Sequence, residues 1–157
     1  MFRRIFWYGL TLIFCHLVVP AQINTYYRLC TTAFDDAMQA VKTEDWSTAQ
    51  YRFKMYMQTC NEPEKTPWAK YYTAYAALKL NQKDGAWQLR EFAEYTTSLE
   101  LHYRAIMDLG RYYFNLRKFD KALPFLDSIP ALTVNANFKN ELTFKRSYAL
   151  LMLNKLD

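Results

Sequence analysis

The chain has 157 residues, 52% hydrophobic and 22% charged, which excludes a disordered polypeptide and sets the scale at one domain or a short repeat array. Three glycines, no two adjacent, exclude phosphate-cradling loops, dinucleotide fingerprints and nucleophile elbows, which need glycine clustered where backbone meets ligand. A formal charge of +5, spread without a basic run, excludes the concentrated patch that nucleic acid demands. With only five prolines besides, the composition favours an all-helical chain joined by short links.

Arg3 and Arg4 lead into an apolar stretch from Ile5 to Val19, followed by Pro20 and Ala21. This is the order of a secretory signal peptide, residues 1–21, with cleavage predicted after Ala21. An uncleaved anchor is the alternative, but the stretch falls short of the roughly 20 residues needed to span a bilayer. Phe14 before Cys15 is too bulky for a lipoprotein signal. Cleavage leaves residues 22–157 with 18 basic against 15 acidic side chains and no further membrane span.

Apolar spacing and helix stop signals predict helices near 25–43, 46–60, 67–82, 85–98, 102–116, 119–129 and 138–153. Pro63 and Pro67 punctuate the first link and Pro130 ends the sixth helix. Pro124 costs little if that helix starts at Lys121 or later and more if it starts at Phe119. Small residues recur along these helices. Ala37, Ala74, Gly110 and Ser147 follow one another at 37, 36 and 37 residues, and Ala49, Ala86 and Ala122 at 37 and 36. Each of the second set follows a turn carrying an acid.

The segment from Ile106 to Tyr113 keeps Leu109, Gly110 and Tyr113 of the tetratricopeptide pattern. Ala122 follows in place, and Ile106 and Leu126 are apolar replacements. The chain resembles the tetratricopeptide repeat family over nearly all of its mature length. The resemblance implies a right-handed superhelix of antiparallel helix pairs, about three and a half repeats near 27–63, 64–99, 100–136 and, in part, 137–157. Within it Ala37, Ala49, Ala74, Ala86, Gly110, Ala122 and Ser147 are close-approach positions, with Tyr113 filling the space beside them. The phrase from Glu141 to Leu150 is similar to one found in large exported tetratricopeptide proteins of Gram-negative bacteria, which implies a periplasmic or outer-membrane-associated location. Six consecutive apolar residues, Tyr148 to Leu153, predict further repeats beyond Asp157 or a partner over the last helix.

Cys30 and Cys60 survive cleavage. In a hairpin turning near Glu44 and Asp45, residues whose numbers sum to about 90 lie opposite each other, so these two face one seam. An exported protein would join them in a disulfide; two buried free thiols are the alternative.

Nothing in the chain assembles a nucleophile, a base and an oxyanion site. His102, the only mature histidine, reads as a polar residue at a helix start, not as a metal ligand. Asp35 and Asp36 diverge by about 100 degrees on their helix, and Glu62 and Glu64 sit in a link. The reading is a non-enzyme with no cofactor and no metal.

In the family that the chain resembles, the first helix of each pair lines a concave surface that binds peptides or partner proteins. Carried over, that surface comprises Phe34, Asp35 and Met38, then Trp68, Tyr71, Tyr72, Tyr75 and Lys79. Arg104, Asp108, Arg111 and Phe114 continue it, and Lys145 and Tyr148 complete it. Phe34 and Met38 stand where members that clamp a terminal carboxylate carry Lys and Asn. Packing between repeats is the other reading of Trp68, Tyr71, Tyr72 and Tyr75, with Tyr71 the one facing the groove. The expected function is a protein-binding envelope scaffold; an exported sensor arm and a glycan-binding module stacking sugars on Trp68 and Tyr71 are the alternatives.

Overall fold

The computed structural model describes residues 25–130 and 136–154; the signal segment, Cys15 and the cleavage position lie outside the described residues. Those described form seven helices and no strand: α1 (25–42), α2 (Trp46–Thr59), α3 (Thr66–Lys79), α4 (Gly85–Tyr95), α5 (Leu99–Asn115), α6 (Phe119–Asp127) and α7 (Ala136–Met152). From α2 onward each helix packs on the next, and α3, α5 and α7 also pack on one another in succession. Helices α3, α5 and α7 thereby share one face of the array.

Local chemistry sets the boundaries. The Asp45 carboxylate accepts from the Thr48 amide at 3.1 Å and starts α2. Ser98 accepts from the Leu101 amide at 3.3 Å and starts α5 at Leu99, three residues before the expected position. His102 therefore lies inside the first turn, where its Nδ1 is 2.8 Å from the Ala93 carbonyl and ties α5 to α4.

Three hairpins close on the same turn. Glu44, Asn81 and Arg117 take left-handed backbone angles, φ 55, 53 and 56°. The following amides of Asp45, Gln82 and Lys118 donate to the carbonyls of Ala40, Ala77 and Tyr113 at 2.9, 3.0 and 2.9 Å. This is the reversal that satisfies orphan carbonyls at a helix end. Asn154 takes the same angle, φ 52°, after α7, so the turn recurs at 37, 36 and 37 residues, in step with the small residues. None of the four is glycine.

Glycine is used where helices meet. Gly85 is not a turn residue but the first residue of α4, and a Cβ there would lie 2.6 Å from the Ala77 carbonyl oxygen. A Cβ at Gly110 would lie 2.6 Å from Leu126 Cδ2. Ala37, Ala49, Ala74 and Ala122 are buried, Ala86 is half-buried, and Tyr113 stacks on Phe125 at 5.7 Å. Ser147, the fourth position in the first series, is exposed, because no described helix packs on that side of α7.

α6 begins at Phe119, so Pro124 stands inside it and withholds an amide from the helix ladder. That costs on the order of 3 kcal/mol, and the helix continues to Asp127 because Ala122, Leu123 and Leu126 are buried beneath it.

The core is a row of three clusters. Phe53 and Tyr56 centre the first, Leu89, Leu101 and Leu109 the second, Met107, Leu126 and Leu142 the third. Cys30 and Cys60 form a disulfide in the first cluster, with Cα atoms 5.7 Å apart, and fasten the open end of the α1–α2 hairpin. Replacing both cysteines with Ala should lower unfolding free energy by about 3–4 kcal/mol, since the bond closes a loop of some 30 residues. Arg117→Gly should raise it by about 0.5–1 kcal/mol by relieving the left-handed turn. Urea unfolding midpoints measured against the disulfide-bonded wild type check both; a destabilised Arg117→Gly would contradict the turn geometry.

Candidate functional site

The shared face of α3 and α5 carries a cavity of about 580 Å³, closed at one side by Phe138 of α7. Helical spacing explains its walls: Tyr71, Tyr72 and Tyr75 form one stripe of α3, and Glu100, Tyr103, Arg104, Asp108 and Arg111 one stripe of α5.

Its floor is a buried polar chain. The Tyr71 hydroxyl donates to Asp108 Oδ2 at 2.5 Å, and Arg111 donates to Asp108 Oδ1 at 2.8 Å. The other edge of the Arg111 guanidinium makes a two-point contact with Glu141, through Nε at 2.8 Å and a terminal nitrogen at 2.5 Å. Lys145 lies 3.8 Å from the same carboxylate. The chain thus links α3, α5 and α7, with two cations matched to two carboxylates. Asp108 is only 5% exposed, and burial lifts its carboxyl above the ordinary range, outweighing the hydrogen bond from Tyr71 and the attraction of Arg111. Glu141 is less buried, and its bonds to Arg111 hold it below its ordinary value.

Burial also raises the phenols of Tyr71, Tyr72 and Tyr75, the last to about 12. They stay protonated and able to donate across the physiological range. Above this floor the rim carries exposed charge. Arg104 is exposed, pairs at 3.4 Å with exposed Glu100, and rests 5.2 Å from the Trp68 ring.

The expected groove residues divide accordingly. Tyr71, Tyr72, Tyr75, Arg104, Asp108 and Arg111 converge on the cavity. Tyr71 supplies the floor, not the exposed contact, since it is 3% exposed while Tyr72 and Tyr75 are half-buried. Trp68 supports Arg104 from beside the cavity and stacks on Tyr72 at 6.0 Å. Lys79 lies further along α3, its Nζ 5.2 Å from the Trp46 ring. Lys145 points to Phe114 at 4.3 Å, and Tyr148 packs against Phe114 and Phe119 at 5.5 and 5.7 Å, so these two belong to an aromatic group outside the cavity. Phe34 and Met38 pack on the first core cluster. Of the carboxylates set aside as catalytic pairs, Asp36 bonds Arg52 at 3.1 Å, and Glu62 is buried against Lys65 at 3.0 Å.

Leu99, Glu100, Tyr103 and Phe138 line the cavity without having been anticipated. The signal for the first two was Ser98, whose capping role moves the start of α5 back onto them, whereas Tyr103 lies within the expected helix one residue before Arg104.

A second groove of about 760 Å³ lies between the link before α3 and the end of α4, lined in part by Pro63, Pro67, Phe92 and Tyr95. It holds one cation, Lys70, opposite Glu91, and no buried ionic network. Among the described residues no three His, Cys, Asp or Glu side chains are grouped to hold a metal. No described helix is long and apolar enough to cross a membrane.

Comparison with known proteins finds no matching family model, curated protein or solved structure.

Two outcomes follow from the buried chain. Arg111→Met leaves Asp108 buried without its cation and should cost about 3 kcal/mol, more than Asp108→Asn, which keeps an acceptor for Tyr71. Glu141, with its lowered value, adds stability above its ordinary 4.5 and loses it as pH falls through the folded value. Asp108, with a raised value, acts in the opposite sense, so the comparison must isolate Glu141. The gap in urea midpoint between wild type and Glu141→Gln should therefore be constant near neutrality and shrink below about pH 4.5. A gap that widens in acid would contradict the arrangement.

Proposed function

We propose that the chain is a tetratricopeptide-like array, wound as a right-handed superhelix, that binds peptides or partner proteins on its odd-helix face and catalyses no reaction. The turn at Glu44, Asn81, Arg117 and Asn154, in step with the small residues, supports the repeat. The disulfide supports an exported setting, which we take to be the envelope of a Gram-negative bacterium.

The observation that carries the binding reading is the cavity between α3 and α5. Concave sites with aromatic walls and a few fixed polar groups are the usual form of a binding site. Here the walls are tyrosines, the floor is held by the Tyr71–Asp108–Arg111–Glu141 chain, and an exposed arginine stands at the rim. Tyr and Arg are also the side chains over-represented in interface hot spots. The hydroxyl–carboxylate pair within hydrogen-bond reach in this cavity, Tyr71 and Asp108, is buried and bound into the floor, which favours recognition over chemistry.

Tyr71 and Arg111 are unsuitable for a binding test because they hold the floor. Tyr103 and Arg104 line the cavity without belonging to that chain. Affinity capture from an envelope fraction should retain a partner on the wild type. A Tyr103→Phe/Arg104→Ala variant, which keeps the Tyr103 ring that packs on the third core cluster, with unchanged helicity and melting temperature should lose it. Equal capture by both would refute the assignment of this face.

A further inference from the structure

The cavity continues along the helices. A second hollow of about 340 Å³ opens between the later turns of α3 and α5 and shares Tyr75, Asp108 and Arg111 with the first. Together they make one trough parallel to the two helix axes.

The polar groups of the trough are unevenly used. Both Asp108 oxygens are occupied, one by Tyr71 and one by Arg111, and Arg111 is itself saturated by Asp108 and Glu141. The hydroxyls of Tyr72, Tyr75 and Tyr103 make no hydrogen bond to another described residue, and burial keeps the first two protonated. What remains open is therefore a row of hydroxyls, each able to donate or to accept. A cation stands at each end. Arg104 rests on the Trp68 ring and has one carboxylate partner among the described residues, Glu100, in an exposed pair on one helix that solvent largely screens. Lys79 is exposed, lines the second hollow and has no carboxylate in salt-bridge range among the described residues.

The separation of these cations sets a ruler. Arg104 lies level with Trp68, and Lys79 is eleven residues further along α3, about 16 Å at 1.5 Å per residue. An extended chain advances about 3.3 Å per residue, so this distance corresponds to about five residues. Side chains of an extended strand alternate, so two that face the same way are an even number apart, and the long Arg and Lys stems absorb the difference.

We propose that the trough takes an extended acidic peptide segment lying along α3 and α5. Two of its carboxylates, four positions apart, meet Arg104 and Lys79, and its backbone carbonyls accept from the tyrosine hydroxyls between. The inference rests on the reading of this face as the binding face and names its ligand class. The segment passes through the trough, so neither peptide terminus is required.

Fluorescence anisotropy with a labelled, N-acetylated and C-amidated Ser/Ala octapeptide carrying two glutamates four positions apart tests it. The peptide should bind the full chain about tenfold more tightly than its diglutamine counterpart and than one with the glutamates adjacent. Arg104→Gln and Lys79→Gln, both exposed positions, should each weaken binding several-fold with unchanged circular dichroism, and added salt should weaken it further. Equal affinity for the diglutamate and diglutamine peptides, indifference to both substitutions, or binding of an anionic oligosaccharide in place of the peptide would overturn the proposal. If envelope capture still depends on Tyr103 and Arg104 in that event, the binding face stands and only its ligand class falls. If capture is independent of them, the binding face falls too.

Discussion

The architecture depends on how closely paired helices approach. At Gly85 the backbone of α4 lies against the backbone of α3 with no room for one methyl group, and at Gly110 the Leu126 side chain occupies the space a methyl group would take. The buried alanines at 37, 49, 74 and 122 serve the other contacts. Helices held this near to one another bury their apolar stripes without large voids, so a chain with three glycines uses two of them as spacers of zero size. The left-handed turns follow from the same requirement. A reversal short enough to bring α2 back along α1 needs one residue with positive φ, and the packing holds Glu44 and Arg117 there despite a cost of about 1 kcal/mol each.

This constraint also makes the core a row of clusters, each shared by neighbouring helices. Stability is then a sum of local contacts, and two devices tie distant parts together. The disulfide closes the outer hairpin at one end. The polar chain from Tyr71 through Asp108 and Arg111 to Glu141 crosses three odd helices at the other. The chain fixes the floor of the trough, which leaves Arg104, Lys79 and three tyrosine hydroxyls on a surface whose shape does not depend on them. On the proposed reading, recognition and rigidity fall to different side chains of the same helices.

The period of small residues was legible because close packing leaves few residue types at those positions, and the helix order followed from it to within three residues at each boundary. The cysteine pairing was legible for the same reason: a hairpin of known turn puts Cys30 opposite Cys60. The left-handed turns were not, because Glu and Arg carry no signal for positive φ. In the trough, Tyr72, Tyr75, Arg104 and Arg111 were visible as helical stripes. Leu99 and Glu100 were hidden by one cap, Ser98, and the depth of Tyr71 by the fact that periodicity locates a face but not which of two adjacent aromatics sits lower. Lys145 and Tyr148 share the stripe of α7 but are drawn to Phe114, a contact between helices that no single helix pattern contains.

The central claim is that the odd-helix face, and within it the trough between α3 and α5, is where this protein meets its partner. Hydrogen–deuterium exchange on the chain with and without the captured partner tests it directly. The account predicts new protection in α5 near Tyr103 to Arg111 and in α3 near Tyr72 to Lys79, with α2 and α4 unchanged. Protection confined to α2 and α4, with the trough exchanging as in the free protein, would contradict it.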